Sequence, residues 1–462
     1  MKRISFSALF VTIFIHASAS GMAPTPNPRN IILMICDGAG FNHVDAASIF
    51  AHGESGRQSY EQFPVKLAMS TTPAAADAYD PGRFWSDREA VIGWPTDSAA
   101  AITAMTTGVK TRNGAICLTP ADDPLPTICA RMEDSGRATG VVTTVQFAHA
   151  TPAGIAVCNP RRSNYVEIGR DMVLHSRLDV IMGAGHPLHD NSGQSARRAN
   201  HEFVGGEATW AALVAGTAGH DADGDGLPDP WHLIQDRGDF QALCEGPTPG
   251  RVIGVARVRE TLQQERGGDQ QAAPFAVPFT PNIPNLVEMT RAALNILDDH
   301  PGGFFLMIEG GAADWASHDN ETGRMIEEML DFAAAAAAVV GWATERSNWQ
   351  ETLVIVTADH ETGLLAGPSP AAGKRPACPF ELPLENRGRG RLPGAEWYTG
   401  DHTNALVPFY ARGAGSENFL SAADQQDPVF GPYLDNTELG QILIAITREP
   451  SAGDAGAAAR TR

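Results

Sequence analysis

Three unbroken apolar stretches each run into acidic side chains, and this repetition constrains the fold more than any other feature of the chain. Asn30-Ile31-Ile32-Leu33-Met34-Ile35-Cys36 ends on Asp37-Gly38, Phe304-Phe305-Leu306-Met307-Ile308 on Glu309, and Leu353-Val354-Ile355-Val356-Thr357 on Ala358-Asp359-His360. Runs of this length, rich in branched and aromatic residues and lacking alternation, read as strands buried on both faces. A single Asp-Gly at a strand tip is most often a turn. Three acid-tipped strands point instead to one shared edge, because the carboxyl ends of strands in an open parallel sheet lie together and bind ligands there. The expected fold class is α/β: a large central, mostly parallel sheet flanked by helices on both faces, with a loop-rich insertion.

The segment Glu309-Gly-Gly-Ala-Ala-Asp314-Trp-Ala-Ser-His318 reads as a strand end followed by a helix. Asp314 and His318, four apart, then share one helix face and together grip a borderline-soft cation such as zinc. A helix start with dipole-favoured acids and a surface His is the rival reading of this segment alone. With the other strand tips, and with His402 just before Leu406 to Ala411, which reads as the last strand, the ligand candidates are Asp37, Glu309, Asp314, His318, Asp359, His360 and His402. That is more than one zinc uses, and suits two or three ions.

Gly93 to Gly114 contains Thr96-Asp97-Ser98 followed by a run of alanines. Thr96 or Asp97 can cap a helix whose positive end carries Ser98, where an oxygen best bears negative charge. No His lies nearby in sequence, so a nucleophilic Ser98 requires a metal to lower its pKa. Farther on, Thr151 offers a hard oxygen suited to magnesium, Pro152 sits early in the next helix, and Arg161 and Arg162 are expected at that helix's end. Either arginine can fork onto a phosphate; a solvated helix end is the alternative.

Composition narrows the partners. The net charge of −20 over 462 residues argues against a nucleic-acid binder, and a strongly acidic protein acting on anions needs local positive charge such as metal ions supply. Lys2 and Arg3, the apolar run Ile4 to Ile15 and Ala17-Ser18-Ala19 have the form of a signal peptide over residues 1–19, too short to span a bilayer. A periplasmic or secreted product without a membrane anchor is expected. Six cysteines follow; Cys36 reads as a buried free thiol, and the pairing of the others is open. Residues from about 183 to 284 read as an insertion on the sheet rather than part of it. Within it Asp221, Asp223, Asp225 and Asp229 alternate as in a calcium loop, but His232 replaces the closing Glu, so Ca2+ binding and a solvated turn are evenly balanced. The tail 450–462 is Ala/Gly-rich and expected to be disordered.

The motifs Asp97-Ser98-Ala99 with Thr-Gly-Val-Lys-Thr, Ala150-Thr151-Pro152-Ala153, Glu309 with Asp314 and His318, Thr357-Ala358-Asp359-His360 and Gly400-Asp401-His402-Thr403 occur in one order. In that order, from about Asn30 to Gly413, the chain resembles the alkaline phosphatases. The resemblance implies a catalytic domain over 28–448 that hydrolyses phosphate monoesters through a phosphoserine on Ser98. It implies two zinc ions, one on Asp314, His318 and His402 and the other on Asp37, Asp359 and His360, and a magnesium on Asp37, Thr151 and Glu309. Arg162 falls at the family's phosphate-binding arginine. His149 and Trp315 depart from the best-known bacterial pattern, which has Asp and Lys there, and both changes touch the third metal site and phosphate release. The implied partners are small phosphomonoesters; a homodimer is left open, and phosphodiesterase or sulfatase relatives are the alternative.

Overall fold

The computed structural model describes residues 27–222, 226–369, 376 and 378–447. The expected signal peptide, the tail 450–462, and Asp223 and Asp225 of the acidic loop lie outside the described residues.

Eleven strands form the main sheet: β1 (Asn30–Ile35), β2 (Val65–Ser70), β3 (Ala138–Gln146), β4 (Val180–Ala184), β5 (His232–Ile234), β6 (Val252–Val255), β7 (Phe304–Glu309), β8 (Thr352–Thr357), β9 (Val407–Gly413), β10 (Gln425–Asp427) and β11 (Gly431–Asp435). Their spatial order is β10-β11-β2-β9-β8-β1-β7-β3-β4-β6-β5. The three acid-tipped runs are therefore neighbours, with β1 between β8 and β7 and parallel to both. Ile35 pairs with Thr357 on one side and Glu309 on the other, and Thr143 of β3 pairs with Glu309, so the strand tips lie level. Every residue of β1, β7 and β8 is buried, as a sheet covered on both faces requires.

Strand β9 runs antiparallel to β8 and β2. Its reversal brings its amino end, and with it His402, to the edge where β8 delivers Asp359 and His360. The alanine-rich helix Ser98–Thr107 is buried along its whole length, starts on Asp97 and stops at Gly108, whose φ of 69° is the left-handed conformation that glycine adopts without strain. Gly38, with φ 74°, stands so close to Asp314 that an added Cβ would lie 2.8 Å from the Asp314 Cα, so glycine is needed for the β1 tip to meet the helix Ala312–His318.

Three expectations are corrected. The stretch 183–284 is not wholly an insertion on the sheet: Val252–Val255 and, outside it, His232–Ile234 add two parallel strands at one end of it. These strands are short and separated by loop-rich sequence, so their pattern is diluted. The run Leu406 to Ala411 is not the last strand, because β10 and β11 follow and β11 pairs with β2. Arg161 and Arg162 are not at the end of a helix, since the helix after His149 covers only Ala150–Ala153 and both arginines lie beyond it, before the helix Tyr165–Leu174. Gly154 and Pro160 interrupt any longer helix between them. Among the described residues no helix is long and apolar enough to cross a membrane.

Candidate active site

At the carboxyl edge of β8, β1 and β7 the side chains of Asp37, Asp359 and Glu309 are completely buried, and Asp314 is 5% exposed. Four carboxylates removed from water in one place repel one another. Burial first, then Asp359 and the other acids, raises the Asp37 carboxyl well above its usual range. Burial and Asp314 push Asp359 up to about 6, and burial pushes Glu309 up to about 8 despite help from the Thr143 hydroxyl. Asp37 Oδ1, Asp359 Oδ2 and Glu309 Oε1 are buried without a hydrogen-bond donor.

The imidazoles complete the cage by elimination of their other nitrogens. His318 Nδ1 donates to the Gly400 carbonyl at 2.6 Å and His402 Nδ1 to the Thr96 carbonyl at 2.8 Å. Their Nε2 atoms are then bare lone pairs, and they face each other across 3.0 Å. Asp314 closes that group, with carboxylate oxygens 3.4 Å from His318 Nε2 and 3.6 Å from His402 Nε2. Thr362 gives its proton to Asp314 Oδ1, so its oxygen accepts from His360 Nδ1 at 3.2 Å. His360 Nε2 is thereby turned toward Asp359 at 3.2 Å and Asp37 at 3.5 Å. Burial and the neighbouring imidazoles hold His360 well below its ordinary pKa, which keeps that lone pair available. Three sets of donor atoms converge to within 4.8 Å: Asp314 with His360 and His402, Asp37 with Asp359 and His360, and Asp37 with His149 and Glu309. Orphaned buried oxygens beside bare imidazole nitrogens are a donor set that fits divalent cations.

Ser98 lies against this cage. Its hydroxyl is 3.2 Å from His360 Nε2 and 3.4 Å from Asp37 Oδ2, at the first turn of its helix. Asp97 performs two tasks. Oδ1 caps the helix through the Ala100 N–H at 2.9 Å, and Oδ2 accepts from the Gly114 N–H at 2.9 Å and from Arg162 Nη1 at 3.1 Å. Arg162 Nη2 donates to His149 Nε2 at 2.9 Å, and burial together with this guanidinium holds His149 neutral. Arg162, Asp97, His149, Trp315 and His402 line a cleft of about 780 Å³ that opens over the cage.

Asp37, Ser98, Arg162, Glu309, Asp314, His318, Asp359, His360 and His402 thus fall at one edge of one sheet, while Thr151 lies buried in the helix Ala150–Ala153 with its hydroxyl lacking a hydrogen-bond partner. Arg161 does not share the contacts of Arg162. Sequence reasoning missed Thr143 and Thr362, which orient Glu309 and His360; Thr143 was within reach as the residue level with Glu309 on the next strand, while Thr362 carried no signal. The acidic loop is a separate matter: Asp221 Oδ2 accepts from the Gly226 N–H at 2.9 Å and Asp229 Oδ2 from the Ala222 N–H at 2.8 Å, so both carboxylates serve the loop's own backbone.

The sequence profile of the family described as "Alkaline phosphatase" matches residues 28–386. The chain is 29% identical to alkaline phosphatase 3 of Bacillus subtilis over 516 aligned positions, covering 96% of each. It is 31% identical to the streptomycin-6-phosphate phosphatase of Streptomyces griseus, covering 90% of this chain and 93% of that one. The alkaline phosphatase of the Antarctic bacterium TAB5 has the same fold, with a TM-score of 0.62 at 25% identity, covering 92% of this chain and 98% of the other. Family profile, curated relatives and shared architecture agree with one another: this chain belongs to the alkaline phosphatase family, enzymes that hydrolyse phosphate monoesters.

Proposed function

We propose that residues 28–448 form one catalytic domain in which Ser98 takes the phosphoryl group from a phosphate monoester and passes it to water. The reading is carried by one observation: the Ser98 hydroxyl touches His360 and Asp37 within a cage of buried carboxylates that each keep one oxygen without a donor. The residues suit Asp314, His318 and His402 to one zinc, Asp37, Asp359 and His360 to a second, and Asp37, Thr151 and Glu309 to magnesium. When bound, these ions supply the positive charge that lowers the serine pKa and stabilises the leaving oxygen.

The protein's own groups account for the rest. Ser98 sits where the helix amino terminus favours negative charge, which helps both its alkoxide and the incoming phosphoryl oxygens. Asp97 and His149 fix the plane of Arg162, so its remaining N–H groups meet the non-bridging oxygens without reorganisation as charge builds. The leaving alcohol departs into the cleft, and water then cleaves the phosphoserine and regenerates the hydroxyl. The amino-terminal 19 residues support an exported, periplasmic or secreted enzyme. The test is chemical trapping. A phosphorylated peptide containing Ser98 is expected after mixing with an aryl phosphate and quenching in acid, and is expected to be absent from Ser98→Ala. Turnover by Ser98→Ala at the wild-type rate, or preference for bis-esters or sulfate esters over monoesters in a parallel assay, would overturn the proposal.

A further inference from the structure

Four residues before Arg162, Cys158 meets Cys117 across a two-stranded contact that the catalytic reading does not use. Ile116 and Asn159 exchange both backbone hydrogen bonds, Ile116 N to Asn159 O at 2.9 Å and Asn159 N to Ile116 O at 3.0 Å, as an antiparallel pair. One step along the register, Cys117 and Cys158 face each other, the Cys117 thiol donating to the Gly154 carbonyl at 3.1 Å and the Cys158 thiol to the Leu125 carbonyl at 3.4 Å. In antiparallel pairing the position next to a hydrogen-bonded pair is in general the one where Cα atoms come close enough for a disulfide to span. Cys117 is fully buried and takes φ 49°, a conformation that non-glycine side chains rarely adopt. Its backbone is pinned there by Thr103 Oγ1, 2.9 Å from its N–H, and by the Leu125 N–H, 2.9 Å from its carbonyl. Cys158 is partly exposed, and the neighbouring Cys117 thiol lowers its pKa. None of the other four cysteines stands across from a second cysteine in this way: Cys36 contacts Met329, Cys129 contacts Thr139, Cys244 contacts Glu288, and Cys378 lies in a second apolar cluster.

We infer that Cys117 and Cys158 form a disulfide when the protein meets an oxidising thiol pool, and that the bond holds Arg162 in its phosphate-binding position. The oxidant is a small-molecule disulfide such as oxidised glutathione. The Cys158 thiolate attacks one of its sulfurs, a mixed disulfide forms and one thiolate leaves. Cys117, deprotonated, attacks the Cys158 sulfur and expels the second thiolate. The two protein thiol protons end on the two released thiols, so one disulfide is reduced as one is made. Positioning follows from the same contact. The Arg162 N–H donates to the Gly114 carbonyl at 2.8 Å, and the Gly114 N–H donates to the Asp97 carboxylate that grips the guanidinium. A covalent tie between Cys117 and Cys158 fastens this segment to the arginine-bearing turn. This second part rests on the proposed role of Arg162; the bond itself does not.

The experiment uses the full chain, incubated with oxidised glutathione or with dithiothreitol, denatured in acid, alkylated and mapped by mass spectrometry. The oxidised sample is expected to yield a peptide pair linked through Cys117 and Cys158, placed by fragmentation, with four of the six thiols alkylated. Six free thiols, or a bond through Cys129 instead, would overturn the assignment. Inhibition by inorganic phosphate is measured on both samples. Reduction is expected to weaken it several-fold in the wild type and in Cys244→Ser, and to change nothing in Cys158→Ser. A reduction effect that survives in Cys158→Ser, or no effect in the wild type, would remove the positioning role while leaving the mapped bond to stand or fall separately.

Discussion

Two groups of buried acids in this molecule are neutralised in opposite ways. On the helix Thr322–Glu345, Glu327 Oε2 meets Arg266 Nη2 at 2.7 Å and Arg324 Nη1 at 3.5 Å, and its other oxygen accepts the Phe275 N–H. Arg266 spends its remaining N–H groups on the carbonyls of Pro278, Gln263 and Val277. The adjacent Glu328 is pushed up to about 8 by burial and by Asp331 and Glu327, and so is uncharged at neutral pH. At the sheet edge, by contrast, Asp37, Asp359 and Glu309 each keep a buried oxygen without a donor, and the nearby Arg162 is already paired with Asp97. Leaving a buried carboxylate unmatched costs several kcal/mol, so a chain that matches such groups with arginine in one place and not in another has left the second place to cations from solution.

The largest effect that sharpens this contrast is expected from Ser98→Ala, which should lower kcat/KM by roughly a thousandfold or more while the purified protein keeps its divalent metal, as read by turnover beside elemental analysis. Loss of metal from that variant would mean that the serine, and not the acids, organises the cage. In the other region, Glu327→Ala leaves Arg266 and Arg324 buried without their acid. It should destabilise the fold by about 3–5 kcal/mol in denaturant titration, with kcat unchanged where the protein remains folded. Equal losses of stability from Glu327→Ala in chelated and metal-loaded protein would confirm that the two clusters are independent. Arg162→Ala should reduce kcat/KM by about a hundredfold, and Arg162→Lys should recover only part of it, because an ammonium keeps the charge but not the fork. Full recovery in the lysine variant would reduce that residue to a point charge.

The smallest effect is a slope. Glu328 has a folded pKa near 8, above its unfolded range of about 4.3. The folded state therefore binds the extra proton between those values, and this group's contribution to stability falls as pH rises through that window. Glu328→Gln removes the contribution, so its melting temperature should fall less steeply than that of the wild type between about pH 4.5 and 8. Parallel curves would show that Glu328 is already charged in the native state.

The same contrast explains what the sequence made legible. Apolar runs and the acids at their tips are properties of residue type at contiguous positions, so β1, β7, β8 and the ligand candidates could be read directly, and the helix Ala312–His318 was expected just after the β7 tip, which put Asp314 and His318 on one face. The atoms that orient the imidazoles are mostly backbone carbonyls, those of Gly400 and Thr96, and these have no residue signature. Arg162 was recognisable by its place in the family's pattern, but its turn was not, because its fixing contact is an Asp97 oxygen 65 residues away in the chain. The short outer strands β5 and β6 were lost in loop-rich sequence, where three or four residues are too few to establish a period.

The claim that the unmatched acids cage divalent cations is tested most directly by measuring metal content and phosphatase rate on one preparation, before and after chelation and again after adding zinc and magnesium. About three ions per chain, loss of activity with their removal and its return with both metals are predicted. A chelated protein that holds no divalent ion and still hydrolyses an aryl phosphate at the original rate would contradict the account.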